Sequence, residues 1–99
     1  MNRVLEANKA SIEAFCQKHN IRRLSLFGSQ LKGGADPKSD IDLLVEFENG
    51  KEPGLLGLAD MEHELSALLG RAVDMRTPGD LSRYFRDEVI RSSEVQYAR

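Results

Sequence analysis

The order of the chain's hydrophobic segments predicts an α+β fold in which helices pack against a small three-stranded mixed β-sheet. Three observations support this class: two apolar stretches with helical spacing, short strand-like runs between them, and turn residues that separate the segments. In chain order the expected elements are helix, strand, loop, strand, helix, strand and helix. A chain of 99 residues can enclose one modest core, so we expect a single domain over residues 1–99.

The first half of the chain is expected to contain one helix and two strands. Residues 2–19 carry apolar side chains at nearly helical spacing. Residues 21–27 form the first predicted strand, which Gly28 ends. After a loop rich in glycine, proline and serine, residues 40–47 form the strongest predicted strand, and the turn sequence ENG follows it.

The second half is expected to contain two helices on either side of a third strand. The apolar stripe of the first of these helices consists of Leu55, Leu58, Met61, Leu65, Leu68 and Leu69. Gly70 is placed to be its C-cap, and residues 72–76 form the third strand. A last helix is expected to begin at Pro78-Gly79-Asp80, with packing side chains at Leu81, Tyr84, Phe85, Val89 and Ile90.

Composition and charge exclude several classes of protein. Apolar residues make up 40% of the chain and charged residues 30%, and no stretch approaches the roughly 20 apolar residues of a membrane span. The net charge of −2 gives no strong indication of nucleic-acid binding. One cysteine, Cys16, cannot form an internal disulfide framework, and no secretory signal is recognisable. We therefore expect a cytoplasmic protein with Cys16 in its core.

Two aspartates interrupt the apolar strand over residues 40–47. Asp40 and Asp42 are two positions apart, so in a strand they project to the same side, about 6–7 Å from each other. At an effective dielectric constant of about 20, two negative charges at that separation repel by roughly 2.5 kcal/mol. Mg²⁺ would remove this cost, since it is commonly held by carboxylates and substrate phosphates. The pair therefore predicts two Mg²⁺ ligands.

Asp74 extends this pattern on the third predicted strand. If that strand lies beside the second, Asp74 falls about 5 Å from one member of the aspartate pair. Three carboxylates can hold metal while one accepts a proton from an attacking hydroxyl, so Asp74 is predicted to be a catalytic residue and a metal ligand. Arg76, two residues later, is expected to form a salt bridge with Asp74, with a phosphate contact as the alternative.

Gly28 and Ser29 supply the other half of the predicted site. A glycine at the end of a strand lets a phosphate approach the backbone, and the serine hydroxyl and following amides can donate hydrogen bonds to phosphate oxygens. Ten residues then separate Ser29 from Asp40, enough for the chain to return to the same cavity. Each part alone is common, but the combination predicts a nucleotidyltransferase-type site.

The combined pattern resembles the minimal nucleotidyltransferase family of the DNA polymerase beta superfamily. The segment FGSQLKGGADPKSDIDLLVEF is similar to the family's Gly-Ser and Asp-x-Asp signature, GRAVDMRTP to the segment with its third aspartate, and LSRYFRDEVIRSSEVQYA to its closing helix. The resemblance covers nearly the whole chain and implies a nucleotidyltransferase fold. It also implies that Gly28 and Ser29 contact nucleotide phosphates, and that Asp40, Asp42 and Asp74 form the catalytic, metal-binding triad.

The resemblance further implies an activity and a partner. Such enzymes transfer a nucleoside monophosphate, here AMP from ATP, to a hydroxyl in a reaction that depends on Mg²⁺. Members of the family are typically antitoxins of helical HEPN toxins, and some modify a tyrosine of the toxin. Two alternatives remain open: a non-catalytic antitoxin that acts by binding alone, and transfer to a small molecule. A homo-oligomer is also open.

One position departs from the family pattern. Members often carry arginine directly after Gly-Ser, where this chain has Gln30, and a second basic residue two positions further on, which Lys32 supplies. Lys32 is therefore a candidate for nucleotide binding, with a solvated loop charge as the alternative. The missing arginine charge favours the binding-only alternative.

Overall fold

The computed structural model describes residues 3–27 and 40–99. Its strands are β1 (Ile21–Phe27), β2 (Ile41–Phe47), β3 (Val73–Arg76) and β4 (Glu94–Ala98). Its helices are α1 (Arg3–Ala7), α2 (Lys9–Lys18), α3 (Leu55–Leu69) and α4 (Arg86–Ser92), with a 3₁₀ turn at Pro78–Asp80. None of the described helices is both long and apolar enough to cross a membrane.

The described strands form one mixed sheet in the order β3-β2-β1-β4. β1 is antiparallel to both β2 and β4, whereas β2 and β3 are parallel and are connected through α3. This arrangement confirms the predicted α+β class and the mixed sheet. The predicted strand count is wrong, because residues 3–27 and 40–99 already contribute four strands where three were expected.

The hydrophobic core lies between one face of the sheet and the helices. Leu24 and Leu26 of β1 pair with Val45 and Leu43 of β2, and all four side chains are buried. The helical members of this core are Leu5, Ile12, Phe15, Cys16, Met61, Leu65 and Leu69. The period-two alternation of β2 thus turns one set of residues to the core and leaves Asp42 on the other face.

The first helix is interrupted near its start, which the sequence did not predict. α1 ends at Ala7 and α2 begins at Lys9. Between them, the side-chain amide of Asn8 donates to the carbonyl oxygen of Val4 at 2.8 Å. Asparagine side chains compete in this way with the helical hydrogen bonds of the backbone, so the break has a local cause.

The end of the chain differs most from the prediction. Pro78–Asp80 is only a 3₁₀ turn, closed by a capping box between Thr77 and Asp80, and the helix proper is α4. Tyr84 and Phe85, predicted to pack, are 84% and 50% exposed. The expected closing helix gives way to β4, since its backbone groups can pair with the edge of β1 and its valine and tyrosine favour strands.

α3 agrees more closely with its prediction. Met61, Leu65 and Leu69 are buried, and Gly70 ends the helix in the left-handed conformation (φ 69°), as expected of a C-cap glycine. Leu55, at the start of the predicted stripe, is 84% exposed. The buried stripe is therefore narrower than the leucine pattern indicates.

Candidate active site

Asp42 and Asp74 lie opposite each other on the neighbouring strands β2 and β3. The parallel register of these strands pairs the two residues directly, and on the other side of β2 the antiparallel register pairs Asp42 with Phe27. Residues in register project to the same face of a sheet. The predicted adjacency of the second and third strands is thus present, and it sets two carboxylates side by side.

Asp40 lies just before β2 and is exposed to solvent, whereas Asp42 is half-buried. Burial raises the pKa of Asp42, and the negative charges of Asp74 and Asp40 raise that pKa further; the Arg76 guanidinium opposes them and lowers it. Burial and the two negative charges disfavour the charged form of Asp42, whereas Arg76 favours it. The ionised carboxylate of Asp42 is thus held at a cost that a nearby cation would reduce.

Arg76 supplies a positive charge within the protein itself. Its Nη2 atom lies 3.2 Å from Oδ2 of Asp74, and both side chains are partly open to solvent. The predicted salt bridge is confirmed. Arg76 thus neutralises part of the charge at the paired aspartates, and Asp74 would have to exchange this partner in order to bind a metal ion with the same oxygen.

The donor set suits Mg²⁺ in its chemistry. Mg²⁺ prefers oxygen ligands and is usually held by one or two carboxylates together with water and substrate phosphates, and the register places two carboxylates next to each other. Among residues 3–27 and 40–99, no group of three histidine, cysteine, aspartate or glutamate side chains could hold a metal ion. Asp40, Asp42 and Asp74 are all among these residues and do not form such a group, so their joint role as a metal-binding triad stays a prediction.

The phosphate-binding half of the predicted site falls outside the described residues. Gly28, Ser29 and Lys32 belong to it, as does the departure from the family pattern at Gln30. Phe27, the residue before Gly28, is described, and it is paired with Asp42. The contacts of Gly28, Ser29, Gln30 and Lys32 stay predictions.

Two residues of α3 contact the backbone around Asp74, and the sequence prediction missed them. Oε2 of Glu62 accepts a hydrogen bond from the Met75 amide at 2.6 Å, and Oγ of Ser66 accepts one from the Val73 amide at 3.0 Å. Glu62 and Ser66 are four positions apart, so they share one face of the helix. In the sequence, the sign of this shared role is that two polar residues four positions apart lie directly beside the buried stripe of α3.

The Cys16 thiol and the His19 imidazole lie away from the paired aspartates. Burial raises the pKa of Cys16 to about 12, so the thiol stays protonated and is a core side chain, as predicted. Nε2 of His19 lies 3.3 Å from the Glu64 carboxylate, and its ring packs against Phe15. His19 thus links α2 to α3.

A groove of about 570 Å³ lies at the C-terminal ends of β2 and β3. Its lining includes Phe47, Pro53, Leu58 and Pro78. Val45, the residue of the lining nearest to Asp42 along β2, is three residues beyond it, or about 10 Å in an extended strand. Neither Asp42 nor Asp74 lines the groove.

Comparisons with known proteins agree with this architecture. The protein adenylyltransferase MntA of Thermococcus cleftensis is 35% identical over 94 residues, which cover 95% of this chain and 88% of MntA. A solved structure provisionally described as a minimal nucleotidyltransferase superposes with a TM-score of 0.76 at 35% identity, covering 94% of each chain.

A more distant match shares the fold alone. It is found in the complex of a tri-AMPylated HEPN toxin from Shewanella oneidensis with its MNT antitoxin, with a TM-score of 0.70 at 16% identity, covering 96% of this chain and 73% of the other. The model of the nucleotidyltransferase domain family matches residues 9–98, nearly the whole chain. The protein whose sheet pairs Asp42 with Asp74 thus belongs to the nucleotidyltransferase domain family, with relatives among the minimal nucleotidyltransferases.

Proposed function

We propose that this nucleotidyltransferase transfers AMP from ATP to a hydroxyl of a partner protein, and that the partner is a helical HEPN-type toxin which the transfer inactivates. The observation that carries the proposal is the direct pairing of Asp42 and Asp74 across β2 and β3. Two adjacent, partly exposed carboxylates on one face of a sheet are costly to stability and useful to phosphoryl chemistry.

The relatives support the choice of nucleotide and acceptor. MntA is named a protein adenylyltransferase, which specifies AMP as the group and protein as the acceptor for that enzyme. The toxin in the Shewanella oneidensis complex carries AMP groups while bound to its antitoxin. By analogy, the acceptor here is a hydroxyl side chain of the toxin, and modification serves as the antitoxin mechanism.

The transfer step would use the carboxylates in two ways. The acceptor hydroxyl attacks the α-phosphorus of ATP, the bond to the pyrophosphate oxygen breaks, and the hydroxyl proton passes to a base, for which Asp74 is the candidate. Asp40, Asp42 and Asp74 would hold Mg²⁺, which when bound supplies positive charge to the attacking and leaving oxygens. Since pyrophosphate leaves directly, no covalent enzyme intermediate is required.

Gly28, Ser29 and Lys32 are proposed to bind the nucleotide phosphates. β1 ends at Phe27, directly beside Asp42, so the chain leaves the sheet at the same end as the paired carboxylates. Backbone amides and a serine hydroxyl after such a strand are suitable donors to phosphate oxygens. The roles of these three residues rest on the sequence pattern and this exit point.

The direct test is incubation of the protein with its toxin partner, Mg²⁺ and ATP labelled at the α-phosphate. We expect label on the toxin with wild type and none above background with Asp42→Asn, which has the same size but no charge. ATP labelled at the γ-phosphate should leave the toxin unlabelled. Equal labelling by wild type and Asp42→Asn, or no labelling by either, would contradict the catalytic proposal.

A second candidate function is neutralisation of the toxin by binding alone. The observations that favour it are the engagement of Asp74 by Arg76 and glutamine rather than arginine at position 30. Expression of the double variant Asp40→Ala/Asp42→Ala together with the toxin separates the two. Full protection of growth by this variant supports binding alone, whereas loss of protection with retained complex formation supports catalysis.

A further inference from the structure

We infer that Glu62 and Ser66 of α3 are positioning residues for Asp74, and that they hold its strand in the place that metal binding requires. The inference rests on the proposed function, because it assigns these two side chains to the carboxylate pair proposed to bind Mg²⁺. It concerns residues that neither the Gly-Ser signature nor the aspartate pattern includes.

The geometry consists of two hydrogen bonds on either side of Asp74. Glu62 accepts from the amide of Met75 at 2.6 Å, and Ser66 accepts from the amide of Val73 at 3.0 Å. The Met75 amide belongs to the peptide that joins Asp74 to Met75. Because a peptide unit is planar, the Glu62 bond constrains the backbone dihedral that directs the Asp74 side chain.

The spacing of the two elements explains why both bonds can form at once. Four residues along a helix advance by about 6.0 Å, and two residues along a strand advance by about 6.6 Å. Glu62 and Ser66 can therefore lie opposite Met75 and Val73, with α3 running antiparallel to β3. Both hydrogen bonds can form only if two acceptor side chains are four residues apart on the helix, as Glu62 and Ser66 are.

The position of β3 in the sheet makes the two bonds necessary. In the described part of the chain β3 is a terminal strand with β2 as its only strand neighbour, and a terminal strand leaves alternate amides without a strand partner. The α3 side chains satisfy two of these amides on one side while Asp42 is in register with Asp74 on the other. Asp74 is thus held from both sides.

Glu62 contributes more than Ser66 in this arrangement. Hydrogen bonds to a carboxylate are roughly twice as strong as those between neutral groups, and the Glu62 bond is the shorter one. Outer residues that orient metal ligands typically change metal affinity about 10- to 100-fold when they are removed. Because Glu62 acts on Asp74 through the Met75 amide, loss of its acceptor should weaken metal binding by about tenfold, the lower end of that range.

The experiment measures Mn²⁺ affinity by electron paramagnetic resonance on the full chain without nucleotide, together with thermal melting of each variant. We expect Glu62→Ala to bind Mn²⁺ about tenfold more weakly than wild type. Glu62→Gln keeps an acceptor oxygen and should stay within about threefold of wild type. The matched control is Glu64→Ala, which removes the same side chain from the same helix but breaks the contact with α2; it should bind Mn²⁺ as wild type does.

The outcomes separate this inference from the proposed function. Wild-type Mn²⁺ affinity in Glu62→Ala, with only a lower melting temperature, assigns Glu62 to stability and overturns the inference alone. Absence of Mn²⁺ binding by the wild type, both without nucleotide and with a non-hydrolysable ATP analogue present, overturns the proposed metal site, and the inference with it. If Glu62→Ala does not fold, Ser66→Ala decides: weaker Mn²⁺ binding at an unchanged melting temperature supports positioning, and unchanged affinity contradicts it.

Discussion

The two faces of strand β2 show how seven residues serve stability and chemistry separately. Ile41, Leu43 and Val45 on one face are completely buried and join the core formed with the helices. The other face carries Asp42 and Glu46, both partly exposed, with the buried Leu44 between them. Because successive residues of a strand point to opposite sides, the unfavourable negative charge of Asp42 on one face does not disturb the apolar packing on the other.

The second face is also divided along its length. Glu46 lies beside Arg23 of β1, with 3.5 Å between the carboxylate and guanidinium atoms. Asp42 is paired with another carboxylate, and its pKa is raised. The end of the sheet near Glu46 is thus balanced in charge, whereas the end near Asp42 has an excess of negative charge, as a cation-binding site would.

The largest effect is expected from neutralising Asp42. Asp42→Asn should lower the rate of AMP transfer roughly a thousandfold, since metal catalysis supplies several kcal/mol and each factor of ten in rate corresponds to about 1.4 kcal/mol. The melting temperature should rise by a few degrees, because the variant removes a half-buried charge beside two others. Activity and thermal melting measured on one preparation check both. Glu46→Gln, the same change on the same face, should keep near wild-type activity.

A core substitution on the adjacent position should have the opposite result. Leu43→Ala should lower the free energy of unfolding by about 2–5 kcal/mol through lost burial and a residual cavity, with activity per folded molecule unchanged. Urea denaturation measures the first quantity. Leu55→Ala makes the same chemical change at a side chain that is 84% exposed and should alter stability by less than about 0.5 kcal/mol. Similar losses in the two variants would contradict the division of β2 into two faces.

Much of this fold is predictable from the sequence, because its central elements are determined by local patterns. The alternation in β2 and the helical spacing of Met61, Leu65 and Leu69 each indicate the buried face without tertiary information. β4 is different, since residues 94–98 form a strand only when the edge of β1 is available. The conformation of residues 94–98 therefore depends on pairing with β1, which is distant in sequence, and the local sequence pattern wrongly predicted a helix there.

The candidate site is also predictable only in part. Asp42 is recognisable because an aspartate in a buried strand opposes local preference, and Asp74 because a third carboxylate follows on the next strand. Glu62 was missed, since a glutamate on an amphipathic helix is normally solvated. Its contact with the Met75 amide depends on how α3 crosses β3, which the sequence pattern does not specify.

A smaller effect is expected from Arg76, which tests the excess negative charge directly. Arg76→Gln removes the cation that pairs with Asp74, so a bound Mn²⁺ no longer competes with it for the carboxylate. Mn²⁺ affinity should rise by up to about tenfold, the range of a charge interaction partly screened by solvent. Arg23→Gln removes an ion pair from the balanced end of the same face and should leave Mn²⁺ affinity unchanged. An equal increase in both variants would indicate a general effect of net charge.

The smallest effect is a dependence of stability on pH that distinguishes wild type from Asp42→Asn. The pKa of Asp42 is raised in the folded protein, so the folded state takes up its proton at a higher pH than the unfolded state does. The destabilisation by ionised Asp42 is therefore fully present at neutral pH and disappears as the pH falls through the raised pKa. The melting temperature of Asp42→Asn in metal-free buffer should exceed that of wild type at pH 7, and the gap should close on acidification. Asp60→Asn, an exposed change on α3, serves as the control. A gap that stays constant with pH would mean that burial and the charges of Asp74 and Asp40 do not raise the pKa of Asp42.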